Sequence, residues 1–210
     1  MSIIECEMLM AKGRPKLSKE ENETRKTQII GIAKQLFIKE GYQSVSMRKI
    51  ASEAGLSPMT LYKSFENKRD LLRFIWTDIF VQVHECCEEA ITVCDNDIEK
   101  LHAFCGAFVN YWLTNPEHYR VVYLESDQLE SIDDSYFADD EIITKLFMTL
   151  GRLVAAVAPQ AQTIDDKIKL LVLQLQGIAH GLITIKEIPW GAPDMLTDQC
   201  ITGFIRLLEN

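Results

Sequence analysis

The chain has 210 residues, 47% of them hydrophobic and 25% charged, which suits one large globular domain or a small module joined to a medium one. That balance excludes a disordered, collagen-like or disulfide-scaffold chain, and no apolar run approaches the roughly 18 residues of a membrane span. The formal net charge of -9 argues against a nucleic-acid partner only until its distribution is seen. Up to Arg73 there are 14 Lys and Arg against 9 Asp and Glu, whereas the remainder carries 8 against 22. A basic segment can neutralise phosphates, and an acidic remainder should face away from the same surface.

Apolar residues recur at helical spacing almost throughout, which predicts an all-α protein of nine helices. The first runs from about Asn22 to Glu40, with Ile29, Ala33, Leu36 and Phe37 on one face and Gly41 as its stop. Ser46 caps a short helix through Ala54, Gly55 breaks it, and Ser57 caps another, Pro58 to Ser64, with proline at the first helical position. Asn67 opens a long helix, Lys68 to Thr92, that joins the basic part to the acidic one. Further helices are expected at Ile98–Leu113, Pro116–Leu124, Asp140–Val157, Ile164–Lys186 and Pro193–Leu208, with an acidic solvated loop from Glu125 to Glu141.

The informative stretch is Ser46 to Phe65, SMRKIASEAGLSPMTLYKSF. Two short helices joined by a tight turn must cross closely. Ala51 is small at the crossing, Gly55 permits positive φ in the turn, and Ile50, Leu56, Leu61 and Phe65 supply the packing. In helix-turn-helix grammar the second helix enters the major groove while the first crosses the backbone.

From Thr27 to Leu72 the chain resembles the DNA-binding domain of TetR-family transcriptional regulators. The shared features are Ala33, Leu36 and Phe37, then Gly41-Tyr42, Ser46, Ile50-Ala51, Gly55-Leu56-Ser57, Leu61-Tyr62, Phe65, Lys68 and Leu71. The resemblance implies a repressor-like homodimer on a palindromic operator in double-stranded DNA, released by a small-molecule effector. It divides the chain into a basic arm (1–21), a helix-turn-helix domain (22–67) and a ligand-binding and dimerisation domain (68–210). By position, Ser57, Met59, Thr60, Tyr62 and Lys63 face DNA. Thr60 offers a hydroxyl and a methyl to base edges, Tyr62 a phenol to phosphate, and Lys63 a charge to phosphate or guanine. Ser46, Arg48 and Lys68 hold phosphate near helix starts. Lys12-Gly13-Arg14-Pro15-Lys16 resembles arms that enter narrow minor grooves, but such tails more often add only nonspecific attraction, and that is the reading taken.

Asn115–Arg120 and Gly177–Leu182 resemble one subtype of TetR ligand domain, in which a Trp stands four residues before the His; here that residue is Gln176. Only the architecture is therefore carried over. Aromatic residues at helical spacing make a candidate apolar pocket of Phe104, Phe108, Tyr111 and Trp112, with Tyr119, Tyr123, Phe147, His84 and His180 nearby. The segment Ile168 to Ile185 is apolar nearly all round and must be buried on two sides. Ile168, Leu171, Leu175, Ile178 and Leu182, with Phe204 and Leu207 of the last helix, are assigned to an intersubunit four-helix bundle.

No hydrolase elbow, P-loop, dinucleotide fingerprint or zincin motif occurs, so no catalytic residue, cofactor or metal is expected. The six cysteines show no zinc spacing. The adjacent Cys86 and Cys87 leave open a thiol-based redox sensor as the alternative. The opening MSIIECEMLM lacks the basic start of a secretory signal, so a cytoplasmic protein with no membrane partner is expected.

Overall fold

The computed structural model describes residues 18–124, 140–159 and 164–208. Nine helices and no strand are found among them, in agreement with the all-α expectation. They are α1 (Lys19–Glu40), α2 (Met47–Glu53), α3 (Pro58–Tyr62), α4 (Lys68–Ile91), α5 (Asp97–Thr114), α6 (Pro116–Tyr119, running on into a π-helical turn, Arg120–Leu124), α7 (Glu141–Val157), α8 (Ile164–Thr184) and α9 (Pro193–Leu208). Lys12–Lys16 of the basic arm, and all but the last two residues of the loop expected from Glu125 to Glu141, lie outside the described residues.

Helix starts are fixed by side chains that take up otherwise orphaned N–H groups, each worth about 1 kcal/mol. Ser18 and Glu21 form a reciprocal capping box, which starts α1 three residues ahead of the expected Asn22. Ser46, Ser57, Asn67 and Asn96 accept from the third residue of α2, α3, α4 and α5. Gly41 and Gly55 take φ of 83° and 65°, the left-handed region that the chain reversals after α1 and α2 require.

The first three helices close around Ile29, Ala33, Phe37, Ile50, Ala51, Leu61 and Phe65, all buried. The same core continues into α4 through Leu71, Leu72 and Ile75. Helix α4 then packs along α5, and α7, α8 and α9 complete the larger unit. The two parts are tied where α1 meets α4 and the π-helical turn. The Lys34 ammonium pairs with Asp78, Lys26 lies 3.6 Å from the centre of the Phe74 ring, and Trp76 Nε1 donates to the Val121 carbonyl at 3.1 Å.

The apolar stripe of α8 faces inward. Ile168, Leu171 and Leu175 are buried within the chain, as is Phe204 of α9. Their side chains are taken up by packing within one chain. An all-round apolar helix has two candidate inner faces, and the one bearing Ile168, Leu171 and Leu175 packs on α5, α7 and α9. The opposite side of α8 carries the exposed Leu170, Leu173 and Gly177. Ile178 and Leu182, half-buried, line a groove of about 420 Å³ with Gly177, Gly181, Trp190, Leu196 and Cys200, and Leu207 is 42% exposed.

Candidate nucleic-acid interface and effector cavity

Helix α3 is short because its cap, its proline and the turn after Tyr62 confine it to 5 residues. Its Leu61 is anchored at 0% exposure, which leaves the opposite side outside. Met59 is 74% and Tyr62 52% exposed, and Lys63 is exposed at the helix end. Thr60 is half-buried, its Oγ1 2.9 Å from Ser57 Oγ, so the two hydroxyls brace each other at the helix start. Ser46 and Ser57 are exposed caps that accept from Lys49 N and Thr60 N at 3.2 Å.

The charges divide by partner. Lys49 pairs with Glu40 and is spent within the domain. Arg48 is exposed on α2 beside it. Lys68 is half-buried: its ammonium donates to the Tyr42 carbonyl at 2.8 Å and sits 4.0 Å from the centre of the Tyr42 ring. It therefore locks the turn after α1 onto the start of α4, a role not evident from sequence position. The structure brings Ser46, Arg48, Ser57, Met59, Thr60, Tyr62 and Lys63 onto two adjoining short helices, with Lys68 behind them at the α4 start.

A cavity of about 430 Å³ lies between α4, α5, α7 and α8. Of the candidate ligand residues, Phe104, Phe108, Tyr123 and Phe147 line it. Tyr111, Trp112, Tyr119, His84 and His180 do not line it. Trp112 is wholly buried behind the wall, its ring edge-to-face with Phe80, Phe108, Tyr111, Tyr119 and Tyr123. Its indole N–H makes no hydrogen bond among the described residues. Tyr111 instead places its hydroxyl 2.8 Å from His118 Nδ1, and the Tyr119 hydroxyl is 3.1 Å from Nδ1 of the exposed His180. His84 sits 3.6 Å from Glu88 on its own helix.

Sequence reading missed Phe80, the α7 residues Ile143, Leu146 and Leu150, and the α8 residues Val172, Leu173, Leu175 and Gln176. The three-to-four spacing of the α7 set was the available signal. Nothing in it distinguishes a cavity wall from filled core.

The cysteines give the redox alternative no geometric support. Cys86 is exposed while Cys87 is buried, and burial pushes the Cys87 thiol far above its ordinary range, with Cys86 and Glu88 adding to the shift. A thiol held protonated there is a poor nucleophile. No group of three metal-ligating side chains occurs among the described residues, and no helix among them is long and apolar enough to cross a membrane.

Residues 29–75, which span α1 to the first third of α4, match the family model of bacterial regulatory proteins, tetR family. Over these residues the chain is similar to the DNA-binding domain of TetR-family regulators. An HTH-type transcriptional regulator of Staphylococcus aureus (strain USA300) is 38% identical over 68 residues, 31% of this chain and 36% of that one. The chain thus spans about a third of the length of the curated relatives it matches. Two solved structures share its fold over most of both chains. A putative tetR family transcription regulator from Shewanella sp. PV-4 has a TM-score of 0.63 at 17% identity, covering 88% of this chain and 97% of that one. The fatty acid degradation regulator FadR from Bacillus halodurans has a TM-score of 0.65 at 17% identity, covering 91% and 97%.

Proposed function

We propose that the chain is a sequence-specific DNA-binding transcriptional regulator, a repressor that holds a palindromic operator as a homodimer and is released by a small, largely apolar effector. The observation that carries this reading is the continuity of α4. One end of that helix is tied through Lys68 to the turn after α1, and Phe80, halfway to its other end, lines the cavity. A ligand that displaces the wall displaces the helix that carries the recognition unit.

In this reading residues 22–67 form the DNA-binding domain, preceded by a basic arm, and residues 68–210 the effector and dimerisation domain. Met59, Thr60, Tyr62 and Lys63 meet base edges and phosphates in the major groove. Ser46, Ser57 and Arg48 hold the backbone, and the α4 start with Lys68 adds positive potential. Two-fold symmetry repeats the half-site one helical turn away.

The test is selection of bound sequences from a random duplex pool, followed by anisotropy titration of the winner. A palindromic consensus bound in the nanomolar range, with steep salt dependence, is the expected result. Tyr62→Ala should lose mainly the specific complex. Recovery of no consensus, or salt-independent binding, overturns the reading.

A further inference from the structure

The cavity walls are hydrocarbon and aromatic carbon except where Gln176 and Tyr123 reach them, and both of these residues abut Tyr119. The Gln176 amide is already aimed: its Nε2 donates to the Tyr119 hydroxyl at 3.0 Å. That hydroxyl, having accepted from Gln176, donates to His180 Nδ1 at 3.1 Å, so its proton is used within the protein. The amide oxygen of Gln176 and the hydroxyl of Tyr123 make no hydrogen bond among the described residues. Burial pushes the Tyr123 phenol above its ordinary range, with Tyr119 adding to the shift, so it remains an O–H donor. Among the described residues no Lys, Arg, His, Asp or Glu lines the cavity.

These groups define what fits. An alcohol is matched to both kinds of group, since it can donate to an amide oxygen such as that of Gln176 and accept from a phenol such as that of Tyr123. A carboxylate or ammonium brings a charge into a low-dielectric site whose described walls offer no opposite charge, at a cost that hydrogen bonds from two neutral groups do not offset. We infer that Gln176 and Tyr123 are the specificity-determining end of the cavity, which takes an uncharged, mostly hydrocarbon molecule bearing a hydroxyl in preference to an acid or amine of the same size.

The inference rests on the effector reading of the cavity, and the test separates the two. Four ten-carbon probes are titrated calorimetrically into the full-length chain at neutral pH, below their micelle concentrations: 1-decanol, decanoate, decylammonium and 1-chlorodecane. Decanol should bind at least about tenfold more tightly than each of the others, because an analogue that leaves buried polar groups unpaired is rejected strongly. That advantage over 1-chlorodecane should vanish in Gln176→Leu and shrink in Tyr123→Phe, with circular dichroism confirming that both variants fold. Decanoate binding as tightly as decanol, or an undiminished hydroxyl advantage in both variants, overturns the specificity end while leaving the cavity an effector site. Binding of none of the four probes, with a Phe108→Trp variant behaving as wild type in every titration, removes the effector reading and this inference with it.

Discussion

The guanidinium of Arg120 donates to the backbone carbonyl of Ile38 at 2.8 Å, across an interval of 82 residues. Ile38 lies in the last turn of α1, where carbonyls lack helical partners, and Arg120 opens the π-helical turn that also carries Tyr123 of the cavity wall. One short turn thus touches the cavity at one residue and the DNA-binding unit at another. Trp76 holds its middle through the Val121 carbonyl. Arg120→Ala should remove about 1 kcal/mol, a hydrogen bond's usual net worth, or about 2–4 °C in Tm for a chain of this size. Amide exchange should rise in the last turn of α1, and a cavity-filling molecule should release operator less effectively. Unchanged exchange at residues 37–42 would contradict this joint.

The two lysines near the recognition helix should separate by stability. Lys63 is exposed, and its ammonium makes no hydrogen bond or ion pair among the described residues, so Lys63→Ala should leave Tm unchanged and reduce the salt slope of operator binding by about one. Lys68→Ala should weaken DNA binding too, but it also removes a carbonyl hydrogen bond and a ring contact worth about 0.5–1 kcal/mol. Its Tm should fall by several degrees. Equal melting of the two variants would show that the Tyr42 contact carries no weight.

The DNA-facing unit was legible because its signals are local. Ser46, Ser57 and Asn67 cap through their own side chains three residues on, and Gly41 and Gly55 stand where only glycine reverses the chain cheaply. The larger unit was legible only as helices. Leu171 and Leu173 are equally apolar in sequence, yet one is 0% and the other 69% exposed, because neighbouring helices choose the inner face and periodicity does not. Tyr111 and Phe108 sit three apart on α5 with the same aromatic spacing. One turns its hydroxyl to His118 and the other faces the cavity, a distinction fixed by α6 and α7 from far along the chain. The π-helical turn has no glycine or proline to announce it.

His118 should make stability pH-dependent. Burial, and next the Lys34 ammonium, hold its imidazole below the ordinary value of 6.5, while Glu117 and Asp78 oppose the shift more weakly. Kept neutral, its Nδ1 accepts from the Tyr111 hydroxyl. Because the folded pKa is depressed, the unfolded chain binds the proton first. The stabilisation is complete above pH 6.5 and is lost as pH falls from there through the folded value. Tm measured from pH 7.5 to 5 should drop further in wild type than in His118→Gln, which keeps an acceptor for Tyr111 but does not titrate. Parallel curves would mean that His118 contributes nothing to acid sensitivity.

Burial also decides how the dimer must be tested. Leu175 and Phe204 are 2% exposed, so a glutamate at either place strands a charge in the chain's own core and should give insoluble or unfolded protein rather than monomers. The informative site is Gly177, exposed on α8 at the groove that also takes in Ile178, Leu182 and Trp190. A Cβ added there meets nothing within 4 Å, and replacing a helical glycine raises helix propensity by several tenths of a kcal/mol. Gly177→Glu should therefore keep its helicity and Tm as a monomer while placing a charge where α8 of a second copy would pack. Sedimentation velocity at micromolar concentration should show a dimer for wild type and a monomer for the variant, with operator affinity falling at least about a hundredfold as two linked half-sites become one. A wild-type chain that sediments as a monomer would end the homodimer reading, and a Gly177→Glu chain that still dimerises would place the partner surface elsewhere than this face of α8.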